Sequence, residues 1–207
     1  MKFAFLLPTL AALCACTGGR VGPEEAVPAA AGWRSLATET DRERLREWRK
    51  TWVRGLEKAR AAGHGAAIAA EGTLLEPDAA LAGVAPPAGE YRCRVLKVGA
   101  RSQGMLDYVT YPPFACRIGS GDAVRDFVKL TGSQRPVGRL FAENDRRMIF
   151  LGTLQLGDEQ GTLRYGHDID RDMAGFLERI GDRRWRLVFP APRFESVIDV
   201  LELIPQD

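Results

Sequence analysis

The chain has no surplus of charge, very little histidine and no long apolar run beyond its first residues, and each shortage removes a class of function. Lys plus Arg number 29 and Asp plus Glu 27, a formal net charge of +2. A dedicated nucleic-acid binder is usually clearly basic, so no nucleic acid is expected as a partner. Only His64 and His167 are available for Ser-His-Asp or His-metal chemistry. There is no Gly-x-Ser-x-Gly elbow, no phosphate-binding P-loop, no His-Glu-x-x-His and no Cys-x-x-Cys, and no motif calls for a cofactor. The single apolar run is too short to span a membrane comfortably. What remains is ordinary globular composition, 45% apolar and 27% charged, in 207 residues. That suffices for one domain with extensions.

The N-terminus carries an address. Residues 1–16 read MKFAFLLPTLAALCAC, with Lys2 as a minimal positive region and Phe3 to Leu13 as an apolar stretch of secretory length. Cys16 has aliphatic Leu13 three residues before it and small Ala15 immediately before it. The pattern resembles a bacterial lipoprotein signal, cleaved before Cys16 with the lipid on its thiol. An ordinary secretory signal without lipid is the alternative. Thr17, rather than Asp, follows Cys16 and favours the outer membrane over inner-membrane retention. The expected location is the periplasmic side of the envelope, with the membrane as a partner through the lipid anchor.

The cysteine count agrees. Cys14 leaves with the signal and Cys16 carries lipid, which leaves Cys93 and Cys116 in a compartment where thiols oxidise. Each sits in a short strand-like segment. A bridge between them would close a loop of roughly 24 residues, worth about 3 kcal/mol in the chain-entropy model. The pair has no neighbouring His, so a metal site is not expected there.

Along the mature chain the expected organisation is a lipidated, flexible tether over 16–37, a helical segment over 38–85 and an antiparallel β domain over 86–207. In the helical segment Leu45, Trp48, Trp52, Leu56 and Ala59 form one apolar stripe. Thr40 or Asp41 could cap it, and Gly63 could stop it. The stripe is read as packing on a core; a membrane or partner surface is the other reading. After Pro86-Pro87, strand-like runs recur near 90–98, 114–118, 124–131, 137–141, 147–156, 161–165, 173–180, 184–189 and 197–204. The expected fold class is α+β: an N-terminal helix packed on an antiparallel β-barrel or barrel-like sandwich. No alternation of strand and helix supports a Rossmann-type sheet.

Two polar segments are candidate sites. Tyr165-Gly166-His167-Asp168-Ile169-Asp170-Arg171-Asp172 could place carboxylates for a cation, with His167 as a base, although it lacks the spacing of an EF-hand. Arg135, in Thr131-Gly132-Ser133-Gln134-Arg135-Pro136, could hold a carboxylate or phosphate, or simply lock a turn. Glu71 is read as an exposed helix-end carboxylate. Arg135, Tyr165, His167 and Asp168 are therefore the candidate ligand-binding residues, with no catalytic or metal-binding residue assigned.

The chain resembles a proteobacterial family catalogued as domain of unknown function 4893, over about residues 33–205. The resemblance rests on the Asp41-Arg42 to Trp48-Arg49 helix start, Gly63-His64, Ala70-Glu71-Gly72, Tyr91-Arg92-Cys93 and Phe114-x-Cys116-Arg117. It continues through Gly132-Ser133-Gln134-Arg135-Pro136, Phe150-Leu151-Gly152, Glu178-Arg179-Ile180-Gly181 and Trp185-Arg186-Leu187-Val188. It implies a cell-envelope location and carries no activity. The leading expectation is a non-enzymatic binding or accessory lipoprotein whose partner is a small ligand or an envelope protein. The alternatives are an envelope hydrolase using His167 or a carboxylate with a divalent cation, and an assembly factor docking through Trp48 and Trp52.

Overall fold

The alternation of inward and outward side chains builds nine strands in the computed structural model, which describes residues 32–157 and 159–206. The signal, Cys16 and the tether as far as residue 31 lie outside the described residues. The strands are β1 (Gly89–Ala100), β2 (Tyr108–Thr110), β3 (Phe114–Ile118), β4 (Val124–Lys129), β5 (Gln134–Asn144), β6 (Arg147–Leu156), β7 (Asp172–Gly181), β8 (Arg184–Pro190) and β9 (Ser196–Pro205). Neighbours pair antiparallel, and β9 returns to pair with β1 from Tyr91 to Ala100. β2 and β3 share one edge of β1, opposite Leu96–Val98 and Gly89–Cys93. Pro112 and Pro113 sit between them and have no N–H to give, which accounts for the break. Taken as one interrupted strand, they complete a closed antiparallel barrel of eight strands. Closure removes the free sheet edges.

Between the expected strands and the observed ones there are two differences. The stretch 161–165 is loop, not strand, because the edge of β6 that it would need is already paired with β7. The short strand β2 carries too little apolar alternation to have been expected.

The barrel interior is filled. Phe150 lies edge-on to Phe127 and Phe189, with ring centroids 5.9 and 5.3 Å apart. Gly138 and Gly152 face each other across β5 and β6 to admit the Phe150 ring. A Cβ on either would come within 2.7 and 2.6 Å of its Cζ atom. Cys93 and Cys116 face inward on β1 and β3 and form a disulfide with Cα atoms 6.0 Å apart. One end is closed by the chain that precedes β1. Trp185 Nε1 donates to the Val84 carbonyl at 2.8 Å, Val84 N donates to Asp145 O at 3.0 Å, and the Tyr91 hydroxyl donates to Pro87 O.

Four helices wrap the outside: α1 (Trp33–Leu36), α2 (Glu39–Arg46), α3 (Trp48–Ala59) and α4 (Gly65–Ala70). Helix α1 falls within the stretch expected as tether, and its Trp33 Nε1 donates to Glu143 at 2.6 Å. The cap of α2 is Thr38, not Thr40 or Asp41. Its hydroxyl accepts from Asp41 N at 3.2 Å and donates to the Asp41 carboxylate at 2.9 Å. Gly63, at φ +92°, bends the chain from α3 into α4 through a π-helical turn rather than stopping it. The stripe of α3 packs on the barrel as read. Trp52 is fully buried, and Trp48 lies under the Arg147 guanidinium, 4.3 Å from the ring. The docking surface that needed both tryptophans exposed is therefore not present. At the crossing of α3 over β1, Gly55 and Gly99 meet, and a Cβ on Gly99 would lie 2.9 Å from Gly55 Cα.

The helical wrap is pinned by a charge. By alternation Arg186 should face solvent from β8, between inward Trp185 and Leu187. Instead it is fully buried, because the helices cover that outer face. Its guanidinium bonds Glu178 Oε2 at 2.9 and 2.6 Å and donates to the carbonyls of Thr73, Leu74, Glu76 and Pro77. Trp52 stacks on it at 4.5 Å. Arg147 holds the other Glu178 oxygen. Arg186→Met should lower stability to urea at pH 7 by about 3–5 kcal/mol, since it leaves a buried carboxylate and several carbonyls short of donors. Arg186→Lys should recover little of this, because an ammonium cannot span the same acceptors. A loss below about 1 kcal/mol would show that the pin is dispensable.

Candidate functional site

The open end of the barrel lies opposite the closed end. It is bounded by the loops 101–107, 130–133, 159–171 and 191–195, which join strand ends on that side. Leu106, Ile169 and Phe194 on these loops are exposed apolar residues. Inside lies a cavity of ≈ 70 Å³ whose lining is mostly apolar. That is roughly half the volume of a cavity known to take benzene, about 150 Å³. Val95, Phe189 and Leu201 line it together with Phe114, Leu154 and Met173. Val95 pairs with Leu201 one inward step below the Lys97–Asp199 pair.

Lys97 and Asp199 form the polar side. Lys97 Nζ donates to Asp199 Oδ2 at 2.9 Å and lies 3.2 Å from Glu195 Oε2. Burial opposes the Lys97 charge, but Asp199 and Glu195 outweigh it, so its pKa stands above the ordinary lysine value. Ser196 donates its hydroxyl to the other Asp199 oxygen. Burial pushes the Asp199 carboxyl upward against the pull of Lys97 and Ser196.

Lys129 differs from the other cations of the lining. Arg44 faces Asp41 at 2.9 Å, Arg171 faces Glu159 at 2.6 Å and Arg193 faces Asp170 at 4.0 Å. Lys129 has no carboxylate or hydrogen-bond partner among the described residues. Its ammonium lies over the Phe114 ring, 4.1 Å from the centroid. Burial lowers its pKa, and repulsion from Lys97 and Arg135 adds to the effect.

The four residues singled out from sequence do not converge. Arg135 spans the β4–β5 and β6–β7 loops, donating to the carbonyls of Gly132 at 2.9 Å and Glu159 at 3.3 Å, and to Gly157 O. Tyr165 turns away from the mouth to α2, donating to Asp41 Oδ2 at 2.5 Å and accepting from Thr38 N at 3.1 Å. Burial, then the Asp41 bond, hold its phenol well above the usual tyrosine range. Asp168 organises its own turn, accepting from Asp170 N at 3.0 Å. His167 is exposed and does not line the cavity, whereas Asp170, Arg171 and Asp172 do. Asp172 is buried and accepts from Gly166 N at 2.9 Å; burial raises its pKa. Among the described residues no group of three His, Cys, Asp or Glu is placed to hold a metal ion.

Glu71 corrects the sequence reading. It is mostly buried and bonds Arg94 through both oxygens, at 2.9 and 2.6 Å, on the outer barrel wall. Burial works against its charge, yet the Arg94 pairing leaves its pKa below the ordinary glutamate value. Sequence reasoning missed Lys97, Lys129 and Asp199. A signal was present. Lys97 shares the parity of Tyr91, Cys93 and Val95, and Lys129 that of Phe127. Each is a charge on an inward face.

A family model described as Domain of unknown function (DUF4893) matches residues 33–203. Neither the curated proteins nor the solved structures hold a match to the chain.

The geometry gives Tyr165 a job in joining α2 to the β6–β7 loop. Tyr165→Phe should cost about 1.5–3 kcal/mol in urea denaturation, the range for a hydrogen bond to a charged group. It should leave binding at the mouth unchanged. Loss of binding without loss of stability would return Tyr165 to the site.

Proposed function

This chain belongs to the DUF4893 family, and we propose that it is a non-enzymatic binding protein of the cell envelope that takes a small ligand in the open end of its barrel. One observation carries the reading. The barrel is closed on itself, plugged at one end and packed through its middle, yet keeps a cavity with mostly apolar lining at the other end. Concave apolar sites with few polar groups are the usual form of a small-molecule site. The cavity alone is below the usual size of such sites, so a ligand would seat a short apolar portion there and leave the rest in the mouth. A hydrolase built on His167 is not favoured, since His167 lies outside the cavity lining, and the carboxylates that do line it form no metal-holding group of three among the described residues.

The address completes the proposal. Cys16 carries the lipid, the outer membrane holds the anchor, and the barrel works on the periplasmic side. Cys93 and Cys116 form the disulfide that an oxidising compartment permits.

Two experiments test the two halves. Residues 17–207, which contain every described element, are labelled with ¹⁵N and titrated with hexanol. Saturable shifts are expected at the Phe114, Leu154, Met173 and Phe189 amides, and Leu154→Trp, which fills the cavity, should abolish them. Shifts elsewhere only, or an unaffected Leu154→Trp variant, would remove the mouth as the site. For the address, the full chain expressed in a Gram-negative host should incorporate labelled fatty acid, and Cys16→Ser should not. Equal labelling of both would refute lipidation at Cys16.

A further inference from the structure

Resting on that reading of the mouth as a ligand site, we propose that the ligand is a small organic acid whose anionic group pairs with Lys129 while its short apolar body enters the cavity. Five cations line the cavity: Arg44, Lys97, Lys129, Arg171 and Arg193. Four of them face carboxylates. Among the described residues Lys129 does not, so its charge is left for something that those residues do not supply.

Its placement makes this costly in the free protein. Lys129 lies opposite Cys116 in the β3–β4 ladder, two residues beyond buried Phe127. It therefore projects from an inward position. Lysines are seldom drawn inward without a partner. The Phe114 face gives partial relief through a cation–π contact. Two cationic neighbours make matters worse. Lys97 is held in place by Asp199, and Arg135 is committed to loop carbonyls, with Glu159 acting on it only through space. Both repel the Lys129 ammonium. An anion at this point meets one ammonium with no carboxylate partner among the described residues, whereas the other lining cations are already paired. A cationic ligand at the same point would be repelled by Lys129.

The apolar half of the ligand follows from what surrounds the ammonium. Val95, Phe189 and Leu201 form an apolar step beside the paired Lys97 and Asp199. The ≈ 70 Å³ of space admits a short alkyl portion and excludes a bulky one. The two halves together describe an amphipathic monoanion rather than inorganic phosphate, which would leave the apolar wall unused.

The test compares three probes of equal length, hexanoate, hexanol and hexylamine, at pH 7 on residues 17–207. Affinities are read from ¹⁵N shifts at the mouth. Hexanoate should bind about tenfold or more tighter than hexanol, the range expected for one charge-assisted bond, and hexylamine weakest. Lys129→Met and Lys129→Gln should bring hexanoate to the level of hexanol and leave hexanol within about twofold of the parent. Both variants should melt no lower than the parent, which separates loss of binding from loss of fold. If hexanol binds as well as hexanoate, or if both variants keep the preference for the acid, the anion proposal fails and the mouth remains a site. If none of the three probes moves a mouth residue, both readings fall.

Discussion

The fully buried guanidinium of Arg186 is the contact on which the joining of helices to barrel depends. The outer faces of β7, β8 and β9 carry Phe176, Val188, Ile198 and Val200, which must be covered. The covering chain leaves α4 through a short 3-10 turn and an irregular stretch whose carbonyls point at the barrel. Arg186 donates to four of those carbonyls and to Glu178 at the same time. Five N–H donors in a rigid plane make this possible for arginine and for no other side chain. A buried ion pair is not by itself a source of net stability, since desolvation offsets its attraction. What this one does is join two layers at one register, because the carbonyls from 73–77 and the Glu178 carboxylate must converge on the same plane.

Closure of the barrel determines where a ligand can go. An eight-stranded barrel is just wide enough to be filled by side chains or to hold one small ligand. Here the aromatic residues take the filled solution through the middle. Gly138 and Gly152 give up their own side-chain volume so that Phe150 can lie across them, and Phe127 and Phe189 close on its edge. Val84 occupies one end. Space remains above Phe189 and Leu201, where β1 and β9 change from apolar pairs to the Lys97–Asp199 pair. The position of the site is thus a consequence of core packing.

Much of the barrel was legible because a strand has period two and its turns carry their own residues. Segments 114–118 and 147–156 were read to the residue, and the inward Trp185, Leu187 and Phe189 followed from parity. The disulfide followed from cysteine arithmetic. Alternation tells which face a side chain takes, not what lies over that face, so Arg186 read as solvated when helices bury it. The same limit misplaced Glu71, whose burial depends on Arg94 across the chain. Tyr165 and His167 are chemically able residues in a polar loop, yet the role of Tyr165 depends on α2, which only the folded chain brings near, and His167 stays exposed. Lys129 was hidden for the opposite reason: a lysine in a strand looks ordinary until its neighbour Phe127 is known to point inward.

The near-neutral balance of the whole chain therefore says little about its open end. Net charge sums exposed pairs that cancel in water, and long-range fields from such pairs are screened within about 8 Å at physiological salt. A half-buried ammonium is not cancelled in that way. The rim that surrounds it is also not made of loops alone. Arg44, on α2, lines the cavity, its partner Asp41 takes the Tyr165 hydroxyl, and Asp41 is fixed by the Thr38 cap at the start of the same helix. The helical wrap that Arg186 pins lower down thus reaches the mouth and braces one side of it. A cavity edged by a helix and by strand ends holds its shape without a ligand, so less of the binding energy has to be spent on ordering the site.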